Sequence, residues 1–405
     1  MKSLTDLMRS PDGREFLRSS GVYVDPQEFK DRLRAPARTK LADSLDSEGR
    51  KLICSGQQLY VDYRQSVLSK ILTLREFEHD PELLPFFLWV DTDRSGSDNL
   101  ITKFAWPKPS KKGPVRIAPS KTRDIESRYV RLDPSQLRSA IDKLGTHLRE
   151  SGVHREGAKL KYQKLRAIFI QEEPGILSSF NYRVSSFLLE NHLGYFPRPV
   201  ILSETLNRGL LADEINLLLN HIDGIVRVFN ESVQSHLAMG IDPQVEPRKP
   251  DYLPLFYSCD VDNFRLRLHH KVEGEDHFAV GRCKCGEDYR FFLGTKTLSI
   301  EQVARTDRWS VDVLLPAFLN NLVSGLVAGR SSGLYMMVIN AVLRQVLGVS
   351  PVPILVPARL EQLASSPEIT DSLLYDYFNT EHEVPTSSRS LRVPEPHPST
   401  METRS

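Results

Sequence analysis

Several short clusters in this 405-residue chain carry side chains able to do chemistry. Ser55-Gly56-Gln57-Gln58 follows a strand-like run at Lys51 to Ile53 and precedes an amphipathic stretch from Tyr63 to Leu74 that reads as helix. At the carboxyl end of a strand, Gly56 lets a ligand approach the backbone, and a helix N-terminus beyond it favours an anion. Gln57 and Gln58 then orient a carboxylate or carbonyl. The competing reading is a plain strand-to-helix turn with solvated amides.

A second cluster, Asp91, Asp93 and Arg94, follows the apolar run Leu83 to Val90. A carboxylate there can accept a proton from an attacking amine, and a guanidinium can neutralise carboxylate or phosphate charge. Asp-Arg-Ser-Gly-Ser is also ordinary turn chemistry. A third cluster, Gly329-Arg330-Ser331-Ser332 before a helix expected from Gly333 to Leu347, offers N–H groups, two hydroxyls and a guanidinium as an anion cradle. It lacks the P-loop pattern, and either serine can serve simply as an N-cap. Tyr335, one turn on, either stacks on a base or packs in the core.

Cys283-Lys284-Cys285-Gly286, with Cys259, His269, His270 and His277 nearby in sequence, has metal-ligand residue types. Its Cys-Xaa-Cys spacing departs from the usual zinc pattern and no second cysteine pair is present. The sequence therefore favours two partly exposed thiols on a β-turn, and zinc is not expected. The basic stretch Lys103 to Arg128, with Trp106, can contact phosphates but reads as a solvated loop. No protease, α/β-hydrolase or paired-glycine dinucleotide motif is present.

The elements that must position these clusters alternate between strand and helix. Leu83 to Val90 is a continuous apolar run of the kind buried on both faces of a parallel sheet. Further strands are expected at Arg198 to Leu202 and Val352 to Val356. Helices are expected from Asp133 to Leu193, with a break at Glu173-Pro174-Gly175, and from Ala212 to Ala238. Between Leu253 and Gly294 the apolar residues alternate and are separated by turns, which predicts antiparallel hairpins. The expected architecture is α/β: a Rossmann-like parallel-sheet core over residues 51–378, with a helical insertion at about 130–193 and a small hairpin insertion at about 253–294. Residues 1–50 are expected to be helix and linker, and residues 379–405 a disordered Pro- and Ser-rich tail.

The net charge of +1 supplies no global field to draw the chain onto nucleic acid or an anionic membrane. The longest apolar run, Val311 to Ala328, is interrupted by Asp312, Pro316, Asn320 and Asn321, so it predicts core rather than a bilayer span, which needs roughly 20 apolar residues. With a polar, mixed-charge opening and four scattered cysteines, a reducing cytoplasm is the expected location.

Taken together, several segments resemble the bacillithiol cysteine-adding family. Ser55 to Gln58 followed by Lys70 is similar to the family's Thr-Gly-Gln-Gln turn and lysine-bearing helix, and Pro85 to Arg94 to its strand ending in an acidic turn. The run AMGIDPQVEPRKPDYLPLFY from Ala238 to Tyr257 resembles the family's Gly-Tyr-His-Xaa-Gln-Val segment and following strand. Arg308-Trp309-Ser310-Val311-Asp312-Val313-Leu314-Leu315 resembles Arg-Phe-Ser-Pro-Asn-Val-Leu-Leu and leads to the Gly329 turn, and Pro353 to Arg359 resembles the closing strand and Pro-Arg turn. The segments occur in family order across most of residues 50–360.

The resemblance implies a Rossmann-like core that joins the carboxylate of cysteine to an amino sugar conjugate as an amide; because a carboxylate is a poor acyl donor, a nucleotide such as ATP or ADP is the expected cofactor. It places Lys70 with Asp91, Asp93 and Arg94 in the chemistry, and Ser310, Asp312 and Arg359 with the two turns in binding. The chain departs from the family at Thr92-Asp93-Arg94-Ser95, where the family has Glu-Asp-His-Asp, and at Gly329 to Ser332, where it has Gly-Pro-Gly-Glu. Pro316 replaces an arginine, Asp312 an asparagine, and the family's coiled-coil arm is missing. The expected activity is therefore ligase-like addition of an amino acid to an amine-bearing acceptor, in the thiol pathway or retargeted to a secondary metabolite. The rivals are a catalytically silent homologue that binds a ligand or partner and a zinc-stabilised nucleotide-binding module.

Overall fold

The computed structural model describes residues 2–96, 99–105, 114–150, 156–170, 175–319, 322–357 and 372–379. Arg359, Trp106 and the tail beyond Asn379 lie outside the described residues. Six strands build the main sheet: β1 (Val22–Tyr23), β2 (Lys51–Gln58), β3 (Leu83–Val90), β4 (Pro199–Ile201), β10 (Gly325–Val327) and β11 (Ile354–Leu355). Five others build a second sheet: β5 (Tyr252–Ser258), β6 (Arg265–Glu273), β7 (Asp276–Arg282), β8 (Asp288–Gly294) and β9 (Trp309–Val311).

The main sheet has the order β1-β11-β10-β2-β3-β4, and every pairing in it is parallel. Alternation along its strands explains their unbroken hydrophobicity. Leu52, Cys54, Leu84, Phe86 and Leu88 enter one core, whereas Ile53, Leu83, Phe87 and Trp89 enter the other. The helix Gln65–Phe77, which connects β2 to β3, buries Val67, Leu68, Ile71 and Leu74 against the second core. This is the Rossmann-like α/β layering that the strand–helix alternation predicts.

From β2 the chain steps outward to β3 and β4, then returns much later to place β10 and β11 on the other side of β2. Adjacent strands whose connections depart in opposite directions leave a crevice at their carboxyl ends, the general ligand position in open α/β sheets. Here that crevice lies beside the ends of β2 and β10.

The second sheet is antiparallel, in the order β8-β7-β6-β5-β9. It is larger than the hairpins expected from residues 253–294, because β9 arrives from beyond them to pair with β5. The insertion at 130–193 contains the helices Pro134–Glu150, Glu156–Phe169 and Leu177–Leu193. No helix among the described residues is long and apolar enough to cross a membrane.

Some local expectations change. Residues 1–50 do more than link: they contribute β1 to the sheet edge and pack Leu4, Leu7, Leu17 and Phe29 into the core. A two-residue strand is too short to show a period. The stretch 212–238 is two helices, Ala212–Asn220 and Ile222–Ala238, meeting at His221. The described part of the basic loop is only partly solvated: Arg116, Lys121 and Arg123 are exposed, but other residues pack inward. Val115, Ile117 and Ala118 are fully buried, as is Glu126.

Candidate functional site

Ser55 to Gln58 do not form a turn. They continue β2, paired with Phe87 to Val90 of β3, and the next helix starts at Gln65. Paired backbone extends to Gln58 because β3 is equally long, so no helix N-terminus abuts Gly56. Ser55 is fully buried and spends its hydroxyl on the Val327 carbonyl (2.8 Å), tying β2 to β10. A Cβ on Gly56 would stand 3.0 Å from the Leu88 carbonyl oxygen, so close strand packing also favours glycine there.

Gln57 and Gln58 reach the crevice beside the carboxyl end of β2. With Lys70, Asp93, Arg265, Asp312 and Ser332 they supply the polar lining of a cleft of about 350 Å³, whose apolar lining includes Phe256, Val311 and Leu326. That volume lies within the usual range of small-molecule sites, ~300–1,000 Å³. The carboxyl edge of the parallel sheet forms one wall, and β5, β6 and the end of β9 form the other.

A hydrogen-bond chain runs along the cleft. The Lys70 ammonium donates to the Gly56 carbonyl (2.7 Å) and to Gln57 Oε1 (3.0 Å). Gln57 Nε2 donates to the Tyr60 hydroxyl (2.9 Å) and to Gln58 Oε1. Gln58 Nε2 donates to Asp93 Oδ2 (3.2 Å), and Arg265 Nη1 donates to Asp93 Oδ1 (3.3 Å). Arg265 Nε turns back to the fully buried Glu126 (3.1 Å), which also accepts from Arg128 Nε (2.7 Å) and the Ser310 hydroxyl (2.5 Å). The Arg265 guanidinium lies 3.6 Å over the centre of the Phe256 ring.

Lys70 is electrostatically unusual. It is 4% exposed, it faces the cleft, and no carboxylate pairs with it among the described residues. Burial disfavours the ammonium and pulls its pKa down to about 8. Burial likewise lowers the Arg265 pKa, but there Glu126 and Asp93 oppose the shift. Lys70 hydrogen-bonds only to carbonyl oxygens, with the centre of the Phe87 ring 5.9 Å away.

The structure divides the remaining candidates. Asp312 joins the cleft, held by the Tyr252 hydroxyl (3.2 Å) and Arg248 (3.4 Å). Ser310 sits behind it, bonded to Glu126 and Arg265. Asp91 is buried away from the cleft, where its carboxylate accepts from the backbone N–H of Ser203 (3.0 Å) and from the Ser203 hydroxyl. Burial raises its pKa and Arg128 partly offsets this. Asp91 thus fastens β3 to the short helix Leu202–Asn207 rather than meeting a reactant. Arg94 projects outward, half exposed, 3.9 Å from Asp124.

The helix expected from Gly333 begins at Arg330, with Gly329 as its N-cap and no side chain capping it. The serines are therefore first-turn residues, not caps. Ser332 reaches the cleft, Ser331 is exposed, and Arg330 is half-buried without lining the cavity. Gly333 packs tightly, since a Cβ there would meet Val356 at 2.9 Å. Tyr335 is core: its ring meets Phe229 edge-on, and burial raises its pKa.

Sequence reasoning missed Arg265 and Glu126. Arg265 lies in an alternating strand where a charged residue reads as solvent-facing, and Glu126 in a basic stretch that reads as loop. Glu126 has a near partner in Arg128, but nothing local joins it to Arg265, 139 residues away. The cysteines also regroup: Cys259, Asp262, Cys283 and Cys285 place their ligand atoms within 4.8 Å of one another. The histidines do not join them, because His269 bonds Asp251 (3.0 Å) and His270 bonds His277 (2.9 Å).

No protein-family model matches the chain, and no curated protein matches it.

Proposed function

We propose that this protein is a ligase-like enzyme that forms an amide between an amino acid, cysteine by resemblance, and an amine-bearing acceptor bound in the cleft between the two sheets. The observation that carries this reading is Lys70: a buried ammonium with only carbonyl partners facing an open cleft. Burying a charge without a counter-ion is costly, and a substrate carboxylate or phosphate oxygen supplies the missing partner. The N-terminus of the helix Arg330–Val346, which no side chain caps and which meets the same rim through Ser332, favours a second anionic group through its dipole.

Amide formation needs an activated carboxylate, which a nucleoside triphosphate provides as an acyl phosphate or adenylate. The amine then attacks the acyl carbon, the carbon–nitrogen bond forms, phosphate or AMP leaves, and the amine loses a proton. Of the two carboxylates lining the cleft, Asp93 and Asp312, this reading gives Asp93 the proton, while Lys70 steadies negative charge on the acyl group. Holding both reactants in one cleft lowers the barrier by removing the entropy of their encounter. Retargeting to an acceptor outside the thiol pathway fits the altered residues Thr92, Arg94 and Ser95 and Arg330 to Ser332.

Incubation with ATP, cysteine and a panel of amines tests this by mass spectrometry. One amide should appear per nucleotide cleaved, and Lys70→Met should abolish it while leaving the circular dichroism spectrum unchanged. Absence of both amide and nucleotide cleavage across the panel overturns the reading.

One observation favours the second reading, a catalytically silent ligand-binding homologue. Asp93 already accepts from Gln58, Arg265 and the Arg94 backbone N–H, which weakens it as a base. Under that reading anions bind and Lys70→Met still weakens them, but no nucleotide is consumed.

A further inference from the structure

At the far end of the antiparallel sheet two turns face each other. One connects β5 to β6 and carries Cys259 and Asp262. The other connects β7 to β8 and carries Cys283 and Cys285. Cys259 and Cys283 are buried, Asp262 is half-buried, and Cys285 is exposed. The geometry points to a structural zinc site made by these four residues, independent of the cleft and its chemistry.

The spacing of the donor atoms is the first argument. Cys259 Sγ lies 3.5 Å from Cys285 Sγ, and Cys283 Sγ lies 3.4 Å from Asp262 Oδ1. A tetrahedral zinc ion with Zn–S of ~2.3 Å and Zn–O of ~2.0 Å has S···S edges of about 3.8 Å and S···O edges of about 3.5 Å. Two opposite edges of the required tetrahedron are thus nearly formed.

The second argument is the surroundings of the sulfurs. The Val261 backbone N–H donates to Cys259 Sγ (3.4 Å), and so does the Tyr289 hydroxyl (3.2 Å). Donors aimed at a buried sulfur suit a thiolate, the form that binds metal. The other turn is closed by Cys283 N–H to the Glu287 carbonyl (2.8 Å) and Gly286 N–H to the Cys283 carbonyl (3.0 Å), with Gly286 at φ 107°, a conformation that needs glycine. This fold of the backbone lets two cysteines one residue apart point to the same place. A spacing that looks wrong for zinc along the chain becomes suitable once the second turn supplies the other half.

Three sulfurs with one oxygen select a borderline-soft divalent ion, and four protein ligands leave no open position for catalysis. A structural role follows from what the turns hold. Arg265, of the cleft, lies three residues after Asp262, and Arg308 ties the β5 end by donating to the Cys259 carbonyl (3.0 Å) and Asn263 Oδ1 (2.9 Å). The exposed Cys285 gives the ion a route in.

Elemental analysis of protein purified without chelator should give one zinc per chain. Cys283→Ser and Cys285→Ser should each bring it close to zero, while Cys54→Ser, in β2, should leave it at one. Cobalt(II) added to metal-free wild-type protein should produce the thiolate charge-transfer and intense visible bands of a tetrahedral thiolate site, a readout that does not depend on the variants folding. Protein that holds no zinc and gives no such bands overturns the proposal. So does a Cys259–Cys285 disulfide mapped by mass spectrometry in protein that takes up no metal under reducing conditions.

Discussion

The two walls of the cleft are built on different electrostatic terms. On the antiparallel wall every charge has a partner: Arg265 bonds Glu126 and Asp93, and Asp312 is held by Arg248 and Tyr252. On the parallel wall Lys70 is buried among carbonyl oxygens with no carboxylate. A wall whose charges are matched internally gains rigidity from them but has little left to offer a ligand. A wall with an unmatched cation is less stable alone and stands to gain most from an anion. The comparison teaches that one side of the site holds shape and the other supplies affinity.

The largest effect should come from breaking the matched wall. Glu126→Ala leaves Arg128 buried without its paired carboxylate and Arg265 with Asp93 alone, and removing one partner of a buried ion pair costs about 3–5 kcal/mol. Urea denaturation measures it. A loss under about 1 kcal/mol would show that the arginines are satisfied elsewhere and that this wall is no more rigid than its neighbour.

Next comes the pH dependence of the unmatched wall. The Lys70 pKa is about 8 folded, against 10.5 for a free lysine, so between these values the unfolded chain binds more protons. Stability should therefore rise with pH from about 8 to 10.5 and be insensitive to this group below 8. At about 1.36 kcal/mol per unit the rise is on the order of 3 kcal/mol. It should vanish in Lys70→Met; an equal slope in both proteins would assign it to another group.

For binding the sign is opposite. An anion needs the charged ammonium, so phosphate or carboxylate affinity should fall above pH 8. Lys70→Met should weaken phosphate binding by about tenfold to a hundredfold at pH 7, the range for a hydrogen bond to a charged group of roughly 1.5–3 kcal/mol. Calorimetric titration reads this directly, and unchanged affinity would mean that the anion sits elsewhere.

The smallest effect should be Arg94→Ala. This side chain is half exposed and its contact with Asp124 is 3.9 Å long, so both stability and phosphate affinity should hold, with stability within about 0.5 kcal/mol. A clear loss of affinity would bring Arg94 back into the site and blur the division between the walls.

Much of the parallel wall was legible in the chain. The run Leu83 to Val90 announces a strand buried on both faces, the Ser55 to Gln58 segment lies at a strand end, and the helix carrying Lys70 has its apolar face in sequence. What local reading misplaced were boundaries. β2 runs on through Gln58 because β3 pairs with it that far, and the last long helix starts three residues early because Gly329 takes the N-cap. Both are set by neighbours that no short window contains.

The antiparallel wall was legible only at Ser310 and Asp312, through the family resemblance. Arg265 reads as an outward strand residue until the stretch 114–128 folds over it, and Asp91 reads as a catalytic carboxylate until Ser203 caps its oxygens. Amino-acid order by itself determined most of the longer strands and helices, and that apolar runs would seek a common core, because periodicity and burial are properties of neighbouring residues. Only the tertiary structure decided which charges meet, since ion pairs, the open cation at Lys70 and the cysteine cluster join residues far apart in the chain. The free energy of a buried charge depends on what stands within a few ångströms in space, and sequence separation does not record that distance.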